Sequence, residues 1–378
     1  MIIKITKYNA LCNLGDNIED IYKNAIIGTS TNFEVTENLI KEKPVRIATV
    51  KSSLPEISNP DYDLRCNKLL LKACEPIKND IENTINKYGK ENVAVIVATT
   101  NSGVEEYEKT QNLKHTEIGN PAKFLKEHFG LKNFYTSVST ACSSGIKAFS
   151  IAKELLENNI AQTVLVAGVD PIAKVPIFGF DSLEILSQTP TIPFSKNRNG
   201  INIGEGAGIF ILEKDTLDGI EICGIGESTD IYHATTPDPN AEEAINTISQ
   251  ALENANLKPE EIDYINLHGT GTGANEIMES KAIFTIFKDT VYTSSTKPLT
   301  GHCLGAAAII ETALCCKLLE KNDGKLYPHI YDNIYDENLP KIKLVPKNCT
   351  VPKITTCLNT SFGFGGTNTA MILRRNNA

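Results

Sequence analysis

Phe134-Tyr-Thr-Ser137 and Val291-Tyr-Thr-Ser294 each open a stretch of sequence with the same order of predicted elements. In both, a short run of aromatic and polar β-formers predicts a strand, which is followed by a turn and a helix of small residues. Both helices end in similar polar segments, 153–158 and 317–322. The shared order of strand, turn, helix and polar end favours an internal duplication over chance similarity.

Elsewhere, short apolar runs alternate with longer helical patterns. We predict further strands at 92–98, 163–169, 264–267 and 353–358. Strands that alternate with helices indicate an α/β protein with layered sheets and helices. A chain of 378 residues is also too long for one small core. We therefore predict two related α/β halves, residues 1–215 and 216–378.

Composition excludes several classes of protein. The net charge of −9 disfavours a general nucleic-acid role. The sequence has no apolar run of about 18 residues, so we expect no membrane span, and Met1 to Tyr8 contains no apolar core of a secretory signal. The ten cysteines form no C-x₂-C pair, and Cys315 and Cys316 are adjacent in an apolar helical pattern. We expect reduced cysteines, a cytoplasmic location and no bound metal.

One cysteine lies in an unusual setting. Ser139-Thr-Ala-Cys142-Ser-Ser-Gly145 occupies the predicted strand-to-helix turn of the first half. At a helix N-terminus, unpaired N–H groups and the macrodipole favour a thiolate, which is the nucleophilic form of cysteine. Taken alone, Cys142 is more simply a buried small hydrophobe. As a nucleophile, it would indicate covalent acyl transfer.

Three further segments place chemically active residues in loops. They are Asn266-Leu-His268-Gly-Thr-Gly-Thr272-Gly, Ser294-Ser-Thr-Lys297-Pro-Leu-Thr-Gly-His302, and Asn359-Thr-Ser-Phe-Gly-Phe364-Gly-Gly-Thr-Asn368. Each has an ordinary explanation when taken alone: a surface histidine, a solvated lysine, or a glycine-rich turn that lacks the phosphate-loop pattern. Their joint occurrence after predicted strands favours an active site.

The predicted duplication links these segments. If the two halves are related by a pseudo-twofold axis, their strand-to-helix turns can face each other. Cys142 is on the first turn and His302 is on the second. We therefore expect these two residues to lie close together.

The ordered motifs around Cys142, His268, Lys297, His302 and Phe364 resemble those of the β-ketoacyl–acyl carrier protein synthases, from about residue 90 to 374. The resemblance implies a thiolase-like fold, two pseudo-duplicated βαβ halves in an α-β-α-β-α arrangement. The Cys-His-His set resembles the elongating synthases. The stretches 178–184 and 203–208 are most similar to compact synthases of aryl-polyene pathways.

The resemblance also implies roles. Cys142 would receive an acyl chain from a carrier-protein thioester, and the backbone N–H groups of Cys142 and Phe364 would bind the oxyanion. His268 and His302, as neutral imidazoles, would promote decarboxylation of malonyl-[acyl carrier protein]. The product would be 3-oxoacyl-[acyl carrier protein], in fatty acid or polyene/polyketide elongation. No cofactor is implied beyond phosphopantetheine on the carrier protein.

Supporting residues follow from the same resemblance. Lys297 would fix the geometry of the histidines, with Glu279 as the carboxylate that its buried ammonium needs. Thr270 and Thr272 would bind the phosphopantetheine arm, and Phe364 would gate the entry of malonyl substrate. The acyl cavity would include Phe178 and Phe180. Candidate carrier-protein contacts are Arg65, Lys68, Lys196 and Arg198, although ordinary surface solvation explains each of them equally well.

The sequence departs from the family pattern in three places. Gly271 and Gly273 stand where serine and proline are common, Asn275-Glu276 replaces a Gly-Asp pair, and Ile192-Pro-Phe194 replaces Arg-Pro-Trp. Because of the two glycines, we expect the loop after His268 to be more mobile. The third removes one possible contact with a carrier protein.

Two alternative functions compete with an active synthase. A chain-length-factor-like partner subunit would be non-catalytic, but such partners typically lose the nucleophilic cysteine, and Cys142 is present. A degradative thiolase needs a second cysteine in the C-terminal glycine-rich segment, and 363–368 has none. The strand predicted at 133–139 can pair with a second copy, so we expect a homodimer or a heterodimer with a related subunit.

Overall fold

The computed structural model describes residues 1–30, 33–41 and 43–375. The last three residues of the predicted second half, 376–378, lie outside the described ranges. The strands are β1 Ile3–Cys12, β2 Phe33–Ile40, β3 Lys43–Ala48, β4 Val93–Ala98, β5 Tyr135–Val138, β6 Thr163–Asp170, β7 Ile203–Gly204, β8 Gly206–Lys214, β9 Ile220–Thr229, β10 Tyr264–Asn266, β11 Tyr292–Ser294, β12 Lys343–Leu344, β13 Thr356–Gly363 and β14 Thr367–Arg374.

The α-helices alternate with these strands. They are α1 Ile18–Ile27, α2 Arg65–Cys74, α3 Lys78–Tyr88, α4 Val104–Thr110, α5 Asn120–His128, α6 Ser144–Glu157, α7 Lys174–Ser182, α8 Glu242–Ala255, α9 Gly273–Phe287, α10 Lys297–Thr300 and α11 Ala307–Lys321. Within the described ranges, every helix is too short or too polar to traverse a lipid bilayer.

The strand order confirms the duplication. The large sheet runs β12-β11-β10-β13-β14-β9-β1-β8-β6-β4-β5. Outward from its centre, β1-β8-β6-β4-β5 and β9-β14-β13-β10-β11 have the same directions: two antiparallel pairings followed by two parallel ones. Only Lys4 and Ile5 of β1 pair with β9. The predicted boundary at 215/216 falls in the turn between β8 and β9.

Five layers follow from the burial of each strand. On β4, Ala94, Ile96 and Ala98 face the core that contains the central helices α6 and α11. The alternate residues Val93, Val95 and Val97 face a second core beneath α2, α3 and α5. The second half-sheet is covered on its outer side by α8 and α9. Cys357, Met371 and Leu373 of the second half-sheet face the same central core. Each half-sheet therefore lies between two helix layers and shares the central one, which confirms the predicted α-β-α-β-α arrangement.

The central helices cross where side chains are small. Gly145 lies in the first turn of α6, and a Cβ on it would be 2.8 Å from Ala308 Cβ and 2.9 Å from the backbone nitrogen of Ile309. Ile309 in turn lies against Gly168 of β6 and Gly208 of β8. The missing side chains at these glycines allow α11 to sit directly on α6 and on the first half-sheet.

We predict that Gly145→Ala lowers the free energy of unfolding by about 1–3 kcal/mol, because the added methyl group overpacks this crossing. The control is Gly179→Ala in α7, where an added Cβ has no neighbour within 4 Å. Thermal unfolding of the two variants and the parent chain measures the difference. A Gly145→Ala transition temperature equal to that of Gly179→Ala would contradict this packing.

The N-terminus of α2 is capped from a distant segment. Leu64, at the N-cap position, offers no side-chain acceptor. Instead Glu105 of α4 accepts a hydrogen bond from the Arg65 N–H at 3.1 Å through Oε1, while its Oε2 accepts no hydrogen bond and lies 3.8 Å from Lys109 Nζ. Burial raises the pKa of the Glu105 carboxyl from 4.5 to about 7.

This raised pKa predicts a pH-dependent contribution to stability. The contribution is fully present below about pH 4.5 and is lost as the pH rises through about 7, because only the folded state keeps the Glu105 proton in that window. Glu105→Gln should therefore remove part of the decrease in unfolding free energy between pH 4.5 and 7.5. Urea unfolding of the parent protein and of Glu105→Gln across this pH range measures the difference. Parallel profiles of unfolding free energy against pH would contradict the prediction.

Candidate active site

The cysteine turn is sharp and tightly held. Cys142 lies between β5 and α6, as its motif predicted, and the preceding Ala141 has a left-handed φ of +51°. The Ser144 hydroxyl donates to the Ala141 carbonyl at 2.6 Å. From the second half, the Ser361 hydroxyl donates to the Cys142 carbonyl at 2.8 Å. These bonds fix a buried thiol, 8% exposed, at a turn between the halves.

The two histidines of the second half converge on this thiol. His302 Nε2 lies 3.0 Å from Cys142 Sγ. The His268 and His302 rings are 5.5 Å apart and nearly perpendicular. One ligand atom from each of the three residues lies within 4.8 Å of the others. The fold therefore brings Cys142 and His302 together, as the duplication predicted.

Close backbone approach sets the position of His302. Its N–H donates to the Asn202 carbonyl at 2.8 Å, and its carbonyl accepts from the Gly204 N–H at 3.0 Å. A Cβ on Gly204 would lie 2.4 Å from the Thr300 carbonyl oxygen. Only glycine allows this contact, which anchors the histidine segment to a strand of the first half.

Lys297 is buried beside His268, but its carboxylate partner differs from the prediction. Lys297 Nζ donates to Glu311 Oε1 at 2.6 Å and to the His268 carbonyl, and it lies 3.4 Å from His268 Nδ1. The prediction that Glu279 pairs with Lys297 is wrong. Glu311 carries a sequence signal that could have identified it, because it is the only charged residue between Leu304 and Cys316.

Glu279 instead holds the loop that carries His268. Its carboxylate accepts the backbone N–H groups of His268 and Gly269, each at 2.7 Å. It also accepts from the Asn275 amide at 3.0 Å and the Thr360 hydroxyl at 3.1 Å. With these donors the buried carboxylate is satisfied without a cation.

Burial dominates the electrostatics of the site. It raises the pKa of the Cys142 thiol to about 12, and nearby Lys297 offsets this only in part. Burial therefore outweighs the predicted lowering of the Cys142 pKa by the helix N-terminus, and the resting side chain is a neutral thiol. Burial and Lys297 also hold the pKa values of His268 and His302 well below their ordinary value of 6.5. Both imidazoles are neutral near pH 7.

Hydrogen bonds to the Nδ1 atoms determine what the histidines offer to the site. His302 Nδ1 accepts the Leu304 N–H at 3.2 Å, and His268 Nδ1 faces the Lys297 ammonium. In a neutral imidazole the proton is then on Nε2. Although Cys142, His268 and His302 are close enough to hold a metal ion, this proton placement does not fit metal binding by Nε2. The site presents hydrogen-bond donors.

The three residues line a cavity of about 290 Å³. Its other lining residues include Phe180, Leu183, Ile185, Ile201, His233, Thr270, Thr272, Asn275, Phe362, Gly363 and Phe364. Phe180 is therefore correctly predicted, whereas Phe178 is 48% exposed and is absent from the lining. The helical spacing turns Phe178 and Phe180 to different sides of α7. The segment 233–237, which also lines the cavity, was missed because it has no distinctive pattern.

The remaining predicted residues lie along this cavity. The Thr270 and Thr272 hydroxyls are 3.0 Å apart. The Phe364 ring is 5.8 Å from that of Phe180. Phe364 is followed by Gly365 and Gly366, whose φ values of +84° and +78° require a flexible residue type. The Phe364 loop therefore combines a large side chain with a permissive backbone.

Three of the four basic residues proposed as carrier-protein contacts form ion pairs within the chain. The ion pairs are Arg65–Glu205, Arg198–Asp336 and Lys68–Asp63. Glu205 and Asp336 are buried, and the Arg198 side chain is itself only 10% exposed, which disfavours a surface contact for Arg198. The Arg65 side chain is 34% exposed, so a carrier-protein contact there stays a prediction. Lys196 is exposed.

We predict that Lys297 is energetically coupled to Glu311 and only weakly to Glu279. Glu311→Gln alone should cost about 3–5 kcal/mol, because it leaves a buried ammonium unpaired. A cycle of Lys297→Met with Glu311→Gln should show a coupling energy of about 1–3 kcal/mol. The matched cycle uses Glu279→Gln, and urea unfolding measures both. A larger coupling to Glu279 would restore the original assignment.

Comparison with known proteins agrees with the fold and the site. The family description "Beta-ketoacyl synthase, N-terminal domain" matches residues 65–217, and "Beta-ketoacyl synthase, C-terminal domain" matches residues 220–330. The chain therefore belongs to the β-ketoacyl synthase family. It is a condensing enzyme of the acyltransferase class.

Individual relatives span almost the whole chain. The 3-oxoacyl-[acyl-carrier-protein] synthase 2 of Coxiella burnetii is 29% identical, covering 99% of this chain and 98% of that protein. A chain from the complex of the ketosynthase ApeO with its chain length factor ApeC, from Xenorhabdus doucetiae, is 34% identical with a TM-score of 0.95, covering 99% and 98%. The ishigamide ketosynthase/chain length factor is 25% identical with a TM-score of 0.86, covering 100% and 99%.

Proposed function

We propose that Cys142 is the nucleophile in a decarboxylative condensation of an acyl thioester with malonyl-[acyl carrier protein]. The observation that carries this proposal is the distance of 3.0 Å between Cys142 Sγ and His302 Nε2, with His268 beside them in the same cavity. The product is 3-oxoacyl-[acyl carrier protein], which suits chain elongation in fatty acid or polyketide synthesis.

In the first step, Cys142 Sγ attacks the thioester carbonyl of the acyl carrier protein. A new C–S bond forms, the bond to the pantetheine sulfur breaks, and the cysteine proton leaves with the pantetheine thiol. We propose the N–H groups of Cys142 and Phe364 as the oxyanion donors. The close approach of Gly363 supports this, since a Cβ there would lie 3.3 Å from the Cys142 nitrogen. One such donor contributes about 3 kcal/mol of transition-state stabilisation.

In the second step, the malonyl group loses CO₂ and the remaining thioester becomes an enolate. The Nε2–H groups of His268 and His302 donate to the enolate oxygen, which avoids free carbanion charge in a buried site. The enolate carbon attacks the acyl-Cys142 carbonyl, the new C–C bond forms, and the C–S bond to Cys142 breaks. Lys297 is proposed to orient His268, and Glu279 to hold its loop. The thiolate of Cys142 then regains a proton.

The substrate arm needs polar partners along the cavity. We propose that the hydroxyls of Thr270 and Thr272 bind phosphopantetheine, because both residues line the cavity and belong to the loop that follows His268. Phe364 is proposed to gate entry, supported by the permissive glycines after it. The reaction then needs no cofactor other than the carrier's own phosphopantetheine.

We also propose the partners and setting of the enzyme. β5 is the last strand of its sheet, and its first residue Tyr135 and the preceding Phe134 are exposed, which supports pairing with a second copy or a related subunit. The complexes of similar ketosynthases with chain length factors favour the related subunit. The stretches 178–184 and 203–208 support an aryl-polyene-type subfamily. All ten cysteines are described and free, which is compatible with the cytoplasm.

The division into units 1–215 and 216–378 is likewise a proposal. It is supported by the identical order and direction of strands in the two halves of the sheet. The alternative function, a non-catalytic chain-length-factor-like subunit, is disfavoured by the intact cysteine beside His302.

We predict that Cys142→Ala abolishes acyl loading, because Cys142 carries the one thiol among the described residues that line the cavity. Incubation with a panel of acyl carrier proteins, followed by intact-mass analysis, measures loading and identifies the chain that is transferred. Cys349→Ala, which removes a half-buried thiol from another part of the fold, is the matched control. His302→Ala should slow malonyl decarboxylation more than loading. Normal condensation by Cys142→Ala would contradict the assignment of Cys142 as the nucleophile.

A further inference from the structure

Asp170 is a wholly buried carboxylate at the end of β6 that none of the preceding roles uses. Its Oδ1 accepts from the Thr99 hydroxyl at 2.9 Å and from the Thr100 and Asn101 N–H groups, each at 2.8 Å. Its Oδ2 accepts from the Thr100 hydroxyl at 2.8 Å and from the Gly305 N–H at 2.6 Å. No salt bridge among the described residues includes it. Asp170 therefore ties a loop of the first half to the Gly305 turn of the second.

The Gly305 end of this link is packed against the carboxylate. A Cβ on Gly305 would lie 2.8 Å from Asp170 Oδ2 and 3.0 Å from the Thr100 methyl carbon, so the turn cannot move closer. The preceding Leu304 has a left-handed φ of +52°. Such a conformation is strained for a residue other than glycine and persists only where its surroundings hold it. The Asp170–Gly305 hydrogen bond is the buried contact adjacent to this strained residue.

The strained conformation has a chemical consequence at His302. The Leu304 N–H points at His302 Nδ1 from 3.2 Å. Because this nitrogen accepts a hydrogen bond, the proton of the neutral imidazole is on Nε2, which faces Cys142 Sγ. If the Leu304 turn relaxed, Nδ1 would be free to carry the proton, and Nε2 would become an acceptor. A donor to an enolate would then be lost.

We propose that Asp170 is a positioning residue that fixes the Nε2–H tautomer of His302 by holding the Leu304–Gly305 turn. This inference rests on the proposed function for the catalytic consequence, but the tautomer itself is independent of it. This interaction links the two halves of the chain. A carboxylate from the first half determines which ring nitrogen of His302, in the second half, carries the proton.

Selective ¹⁵N-histidine labelling of the full chain tests the tautomer directly. Long-range ¹H–¹⁵N correlation spectra, assigned with His302→Gln, show which ring nitrogen is protonated. In the parent protein we expect Nε2–H. In Asp170→Asn we expect a population of Nδ1–H, because the amide cannot accept from every donor that the carboxylate satisfies. Thr100→Val removes one hydroxyl donor to Asp170 but leaves the Gly305 bond, and we expect it to retain the parent tautomer.

Two results would overturn the proposal. One is a parent protein with the His302 proton on Nδ1, which decides the matter even if Asp170→Asn does not fold. The other is a folded Asp170→Asn with the parent tautomer, whatever its activity. We further expect malonyl decarboxylation, measured in a Cys142→Gln background, to fall about 10- to 100-fold in Asp170→Asn, because full loss of one such donor costs about 100- to 1000-fold and only part of the population changes tautomer. A tautomer change in a protein that performs no condensation would keep the positioning role and reject the proposed function instead.

Discussion

The close contact between α6 and α11 is the constraint on which the rest of the structure depends. Each central helix begins just after a strand-to-helix turn, so the crossing of the two helices sets the distance between those turns. Gly145 allows the helices to touch through backbone and methyl groups. The nucleophilic candidate Cys142 and the Nε2 atom of His302 meet at 3.0 Å as a consequence. A larger residue in place of Gly145 would push the two helices apart and so lengthen the distance between Cys142 and His302.

Around this contact, the site is assembled from buried polar groups that are satisfied locally. Lys297 is paired with Glu311, and Glu279 is satisfied by two backbone N–H groups. Asp170 likewise accepts only N–H and O–H groups. Desolvation makes an unpaired buried charge costly, so each of these groups fixes the segment that supplies its partners. The same desolvation keeps His268 neutral and the thiol protonated, which makes the resting site a set of aligned donors.

Much of this arrangement could be predicted from the sequence. The duplicated strand-turn-helix order gave the α/β halves, and the motifs placed Cys142, His268, Lys297, His302 and Phe364 in loops after strands. These features are local, because a strand, a turn and a helix start are each encoded within a few residues. The partner of Lys297 was missed for the opposite reason. The isolated charge of Glu311 in an apolar helical stretch marks it as a candidate, but the sequence also offers Glu279, and the packing of α11 is what brings Glu311 to the ammonium.

Other errors have the same origin. Arg198 was predicted to be a surface residue because exposure is invisible in a sequence, yet the buried Asp336 holds it and its side chain is only 10% exposed. Phe178 and Phe180 are two positions apart and face different surroundings on one helix.

By itself, then, the sequence determined the order of elements, the duplication and the set of reactive side chains. The tertiary structure decided which carboxylate each donor meets, that Cys142 rests as a thiol, and which nitrogen of His302 carries the proton. Those outcomes depend on distances between segments far apart in the chain and on removal of water, and both exist only once the two halves are packed together.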